Sequence, residues 1–198
     1  ITDEEVPVTN PTAVEPAYFP PVLVEQDIKT PRVELFTAVV DGKIYSLGGW
    51  DEGFLGTHSE KDTVEVYDPE TYEWTGLEDM PTKREGAATN VVDGKIYVMG
   101  GFDGRKSLYA VEIYDPTTDS WSEGRDLLLA RSNLPTGNSE VDGKIYIMGG
   151  TAVDPPSLAY AIAPVKPYQE RTAVSTLHVY DPRTDKWEWL RNSDMPTK

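Results

Sequence analysis

The chain has 198 residues, with 34 acidic side chains against 18 basic ones and a formal charge of −16. That balance excludes a nucleic-acid binder of the usual basic-faced kind, and the absence of cysteine excludes disulfides, thiolate metal sites and cysteine nucleophiles. Sixteen Gly, sixteen Pro, eleven Tyr and five Trp with only 38% hydrophobic residues describe a turn-rich, aromatic, all-β chain. No apolar run approaches the roughly 18–20 residues of a membrane-spanning helix.

Residues 1–29 stand apart. Pro7, Pro11, Pro16, Pro20 and Pro21 among acidic residues predict an extended linker or docking arm, with Val22–Ile28 able to form one strand. The first residue is Ile, which together with this leader and the acidity favours an extracellular or cell-envelope location. A cytoplasmic adaptor is the alternative.

From residue 30 the chain repeats itself. In the first copy (30–79) an apolar stretch, Leu35–Val40, runs into Asp41-Gly42, whose left-handed tendencies suit a type I′ hairpin turn. A second strand, Lys43–Leu47, ends at Gly48-Gly49. A third, Thr63–Tyr67, ends at Asp68-Pro69, and a fourth begins at Trp74. The second copy (80–128) repeats this with Ala87–Val92, Asp93-Gly94, Lys95–Met99, Gly100-Gly101, Ala110–Tyr114 and Trp121. The third (129–194) has Asp142-Gly143, Lys144–Met148, Gly149-Gly150, Thr176–Tyr180 and Trp187, with an insertion at 151–175. The Asp-Gly-Lys-Ile-Tyr signature recurs at steps of 52 and 49 residues, and Tyr67, Tyr114 and Tyr180 each precede their Trp by 7. Met195-Pro196-Thr197-Lys198 repeats the opening of the second copy and predicts the start of a further one.

The period, the Gly pair, the Tyr and the Trp resemble the Kelch motif, whose repeat is about 50 residues. The resemblance covers about 30–198. It implies an all-β β-propeller segment of three four-stranded antiparallel sheets, one blade per copy. Such a segment is part of a longer ring or is completed by another chain, because propellers typically have four to eight blades. Tyr and Trp are then packing residues between blades, each able to bury roughly 150–250 Å².

Alternation of the strands puts the Asp-Gly and Asp-Pro turns at one end. The loops after the Gly pairs lie at the other. The latter differ in length, and binding residues favour variable loops on a rigid scaffold. The candidate contact residues are Trp50, Asp51 and Phe54 in loop one and Phe102, Asp103 and Arg105 in loop two. In the Tyr- and Pro-rich third insertion they are Tyr160 and Tyr168. Arg32, Arg84 and Arg131 recur at the blade starts. Kelch adaptors often turn such arginines toward acidic peptides, and pairing with neighbouring carboxylates is the stronger expectation.

No cofactor or metal is expected. Asp51, Glu52, Asp103 and Asp154 offer oxygen for Ca²⁺, but the close regular spacing of a calcium loop is missing. Among Kelch-like enzymes, copper radical oxidases need a Cys-linked Tyr and histidine ligands. This chain has no Cys and only His58 and His178. A sugar epimerase of the mutarotase kind would need only acid–base groups, and no residue is marked for that. The expectation is a non-catalytic module recognising a protein, a glycan or a copy of itself. A subunit of an extracellular polymer built by head-to-tail or strand-donating contacts is the alternative.

Overall fold

The computed structural model describes residues 27–53, 57–135, 139–153 and 171–190. These residues form strands and turns, with no helix among them. Val22–Ile28 lies almost wholly outside the described residues, as do Phe54, Tyr160 and Tyr168.

Blade one contains β1 (Phe36–Val40), β2 (Lys43–Leu47), β5 (Val64–Asp68) and β6 (Glu73–Gly76) in the order β1-β2-β5-β6. A ribbon of β3 (Trp50–Glu52) and β4 (His58–Glu60) rises between β2 and β5. Blade two is β7 (Ala88–Val92), β8 (Lys95–Met99), β9 (Val111–Asp115) and β10 (Ser120–Gly124), again in chain order. Blade three contains β11 (Glu140–Val141), β12 (Lys144–Met148), β15 (Leu177–Asp181) and β16 (Lys186–Trp189). Its own ribbon is β13 (Thr151–Val153) with β14 (Arg171–Ala173). All pairings are antiparallel, as an all-β Kelch propeller segment requires.

The hairpin turns follow the sequence. Asp41 and Gly42 have φ of 49° and 76°, and the two later Asp-Gly pairs match them, so both central residues are left-handed as type I′ demands. The second strands fall where the sequence puts them. The third strands sit one residue later than expected, because the Asp of each Asp-Pro still makes a rung, as in Asp68↔Glu73 and Asp115↔Ser120.

Each sheet is too thin to bury a core alone, so the core lies between blades. Phe36, Val40, Tyr45, Leu47 and Val64 of blade one pack on Ile96, Val98 and Tyr114 of blade two. Val92, Tyr97, Met99 and Val111 of blade two pack on Ile145, Ile147 and Tyr180 of blade three. Tyr45 meets Tyr114 at 6.1 Å between ring centroids, and Tyr97 meets Tyr180 at 6.2 Å. Tyr67–Trp74, Tyr114–Trp121 and Tyr180–Trp187 pair within their own blades. Two of these tryptophans also reach back across a seam: Trp121 Nε1 donates to Glu78 O and Trp187 Nε1 to Arg125 O.

The end faces carry what the seams bury. Ile44 of blade one is 37% exposed, while Ile96 and Ile145 at the same register are fully buried. Val141 and Met148 of blade three are 55% and 37% exposed, against 6% and 0% for Val92 and Met99.

Candidate functional site

The variable loops share one foundation. The residue after each blade-opening Arg pairs with the residue after the Gly pair: Val33 with Trp50, Glu85 with Phe102, Ser132 with Thr151. Both backbone bonds form in every case, at 2.8–3.0 Å. The second Gly N–H also reaches the next blade, Gly49 donating to Arg84 O and Gly101 to Arg131 O. This close approach explains the glycines. A Cβ on Gly48 or Gly100 would lie 2.6 Å from the carbonyl oxygen of Arg84 or Arg131, which no packing adjustment relieves.

Arg32, Arg84 and Arg131 point inward from this junction. The side chains of Arg32 and Arg84 are fully buried. Each clamps the strand ends of its own blade: Arg32 Nη1 donates to Gly48 O and Thr63 O, Arg84 Nη1 to Gly100 O and Ala110 O. Arg32 then pairs with Glu65 at 2.7 Å and Arg84 with Glu112 at 2.6 Å. In blade three the acid is replaced by His178, which accepts from Arg131 Nη2 at 2.9 Å. Burial, with Arg131 alongside, drives the His178 pKa down to about 4, and burial brings Arg131 to about 10. The arginines are thus held inside the blades, with neighbouring carboxylates or an imidazole, and do not present their guanidinium groups at the loop face.

The face itself is built from loops one and two. The sequence predicts an irregular loop one, whereas Trp50–Glu52 and His58–Glu60 form a ribbon, closed by Gly53 N–H donating to Thr57 O. Trp50 stacks on His58 at 4.0 Å with a 15° interplanar angle, and Asp51 is engaged by Lys61 at 2.9 Å. In loop two, Asp103 Oδ1 accepts the N–H groups of Arg105 and Lys106, a turn that leaves Arg105 exposed. Between the loops lies an open hollow of about 500 Å³, lined by Glu60, Pro81, Thr82, Lys83, Asp103, Gly104 and Arg105.

At the seam beside it, His58 Nε2 lies 2.7 Å from Glu85 Oε2 and 3.5 Å from Glu60 Oε1. Burial pushes the Glu85 carboxyl above its ordinary range, with His58 pulling the other way. Sequence reasoning misses this group. His58 and Glu60 alternate within three residues, a legible hint of a shared strand face. Nothing in the sequence ties them to Glu85, 25 residues beyond Glu60. Of the residues nominated from sequence, Trp50, Asp51, Phe102, Asp103 and Arg105 gather on this face.

Comparison with known proteins agrees with the architecture. Residues 20–198 match the KLHDC2/KLHL20/DRC7 Kelch-repeats domain family. Kelch-like protein terF of Aspergillus terreus is 52% identical over 69 residues, 32% of this chain and 14% of that protein. An F-box/kelch-repeat protein of Arabidopsis thaliana is 38% identical over 76 residues, 38% of this chain and 19% of its own. Human Kelch-like protein 28 is 32% identical over 84 residues, 41% of this chain and 15% of its own. These matches therefore take in less than a fifth of each relative. Among solved structures, that of YjhT superposes with a TM-score of 0.63 at 20% identity, over 83% of this chain and 54% of that one, a likeness of fold. With three blades of matching register and a family match across nearly the whole sequence, the chain belongs to the Kelch-repeat family.

Proposed function

We propose that this chain is a non-catalytic interaction module that holds a protein partner on the loop face over blades one and two. One observation carries the reading. The Asp-Gly turns at one end are alike in all three blades, whereas the other end raises a ribbon, a short turn and a long insertion from identical backbone bridges. A constant frame with unlike loops is how recognition surfaces are built. The hollow between the loops is polar and open, suited to a protein segment more than to an enclosed small molecule.

The test is affinity capture with matched variants. Lys83→Glu with Arg105→Glu should lose the partners that the parent chain retains. Lys43→Glu with Lys95→Glu, at the opposite end, should keep them. Equal retention by both would refute the assignment to the loop face.

A second reading, assembly through the end faces, is favoured by the exposed Ile44, Val141 and Met148. Ile96, Val92 and Met99 at the same registers are buried by a neighbouring blade, so a further Kelch-type sheet, in the same polypeptide or in a second copy, would cover these faces. Sedimentation of this chain as a strict monomer at high concentration would remove the second copy.

A further inference from the structure

His58, Glu60 and Glu85 bring one imidazole nitrogen and two carboxylate oxygens within 4.8 Å of one another. Each is placed by something outside the group. His58 and Glu60 are alternate residues of β4 and share a face. The His58 ring is set by its parallel stack on Trp50. The Glu60 carboxylate lies over Gly104, where an added Cβ would come within 2.6 Å of it, so that glycine leaves room for it. Glu85 arrives from across the seam, fixed by both backbone bonds to Phe102.

The charge balance is unusual for a buried position. The Glu85 side chain is 4% exposed and that of Glu60 is 10% exposed, and Glu34 adds a third carboxylate to the local field. The residues at the Glu85 position in the other blades are Val33 and Ser132, so the scaffold does not require a charge there. Withdrawing carboxylates from water costs several kcal/mol each unless a cation compensates. Among the described residues, His58 is the cation that acts on Glu85, set against the carboxylates of Glu34 and Glu60.

We propose that His58 Nε2 and the carboxylates of Glu60 and Glu85 form a binding site for a transition-metal dication of the zinc class. A nitrogen with two carboxylate oxygens is a zinc-type donor set, with bonds of about 2.0–2.2 Å and a fourth position left open. Calcium and magnesium are disfavoured, because they take oxygen ligands in greater number. A tetrahedron of that size separates its donors by about 3.4 Å. The His58–Glu60 distance is already 3.5 Å, and the His58–Glu85 contact needs to open from 2.7 Å. His58 is 45% exposed, so an ion reaches the site from solvent.

The experiment uses the tag-free chain, stripped with chelator and titrated with Co²⁺ and then Zn²⁺. Visible absorption reads the first and calorimetry the second. One equivalent of Co²⁺ should give ligand-field bands that Zn²⁺ abolishes. His58→Gln and Glu85→Gln should each weaken binding at least tenfold, and His178→Gln, at the other histidine, should not. His58 is exposed enough that His58→Gln keeps its fold, checked by circular dichroism, should Glu85→Gln fail to. Absence of cobalt bands and zinc heat in the parent chain, or unchanged affinity in His58→Gln, overturns the assignment.

Discussion

The Tyr114 hydroxyl donates to Asp119 Oδ1 at 2.7 Å, and the same oxygen accepts the Glu78 N–H of the preceding blade. Tyr180 and Asp185 repeat this with Arg125 N–H. Asp119 and Asp185 are left-handed residues that tie a buried phenol to a neighbour's backbone. Asp119→Ala leaves the Tyr114 hydroxyl without its acceptor and releases the exposed Glu78 N–H to solvent, so it should destabilise by about 2 kcal/mol, read by urea denaturation. Tyr114→Phe, which removes a donor and leaves Asp119 a partner, should cost about half as much. Equal effects would show that the link to Glu78 contributes nothing.

Buried pairs such as Arg84–Glu112 test a different balance. Glu112→Leu leaves a fully buried guanidinium without its counter-charge and should cost about 3–5 kcal/mol. Arg84→Met combined with Glu112→Leu should recover most of that loss. If the double variant is as unstable as the single one, the backbone carbonyls at Gly100 and Ala110, and not the ion pair, are what Arg84 is needed for.

Blade three predicts an acid sensitivity. Above pH 6.5 His178 is neutral in both the folded and the unfolded chain and contributes no pH dependence. As pH falls from 6.5 toward about 4, the unfolded chain gains a proton that the folded chain refuses, so stability drops. The loss approaches about 3 kcal/mol and levels off below the folded pKa. His178→Gln keeps an acceptor for Arg131 and cannot titrate. Denaturation midpoints at pH 7, 5.5 and 4.5 should fall less steeply in that variant. Parallel curves would assign the acid sensitivity elsewhere.

Two glycines separate conformation from contact. Gly42 has φ +76° and open space where a methyl group would stand, with nothing within 4 Å, while Gly48 has φ +56° and meets Arg84 O and Phe36 within 2.7 Å. Gly42→Ala should cost about 1–2 kcal/mol, the left-handed penalty alone. Gly48→Ala should exceed it by at least about 2 kcal/mol, since overpacking adds to that penalty. Thermal melts of the two variants decide it.

The repeat is legible because its signals are local. Asp41-Gly42 and Gly48-Gly49 dictate backbone shape within two residues, and Lys43–Leu47 runs between them without ambiguity. The ribbons are not legible. Trp50–Glu52 and His58–Glu60 are half in solvent and lack the apolar alternation that marks a strand over a core. For the arginines the sequence favours a neighbouring carboxylate over an outside peptide, but it has no local signal that names which carboxylate. Glu65 and Glu112 follow Arg32 and Arg84 by 33 and 28 residues, and His178 stands where a third acid would be. Asp119 and Asp185 escape notice because one partner of each, the N–H of Glu78 or Arg125, lies in another blade, and blade one has Tyr72 at that position, half-exposed.

The paired backbone bonds at Val33–Trp50, Glu85–Phe102 and Ser132–Thr151 fix the first root of every post-glycine segment, and the N–H groups of Lys61, Leu108 and Val174, donating to Gly49 O, Gly101 O and Gly150 O, fix the second before its length matters. Blade two spans that interval with a tight turn and blade three with a far longer excursion, on the same sheet order. The junction therefore behaves as a socket. A foreign peptide spliced between Phe102 and Ser107 inherits its anchorage from the scaffold, which makes this architecture a ready host for transplanted recognition sequences.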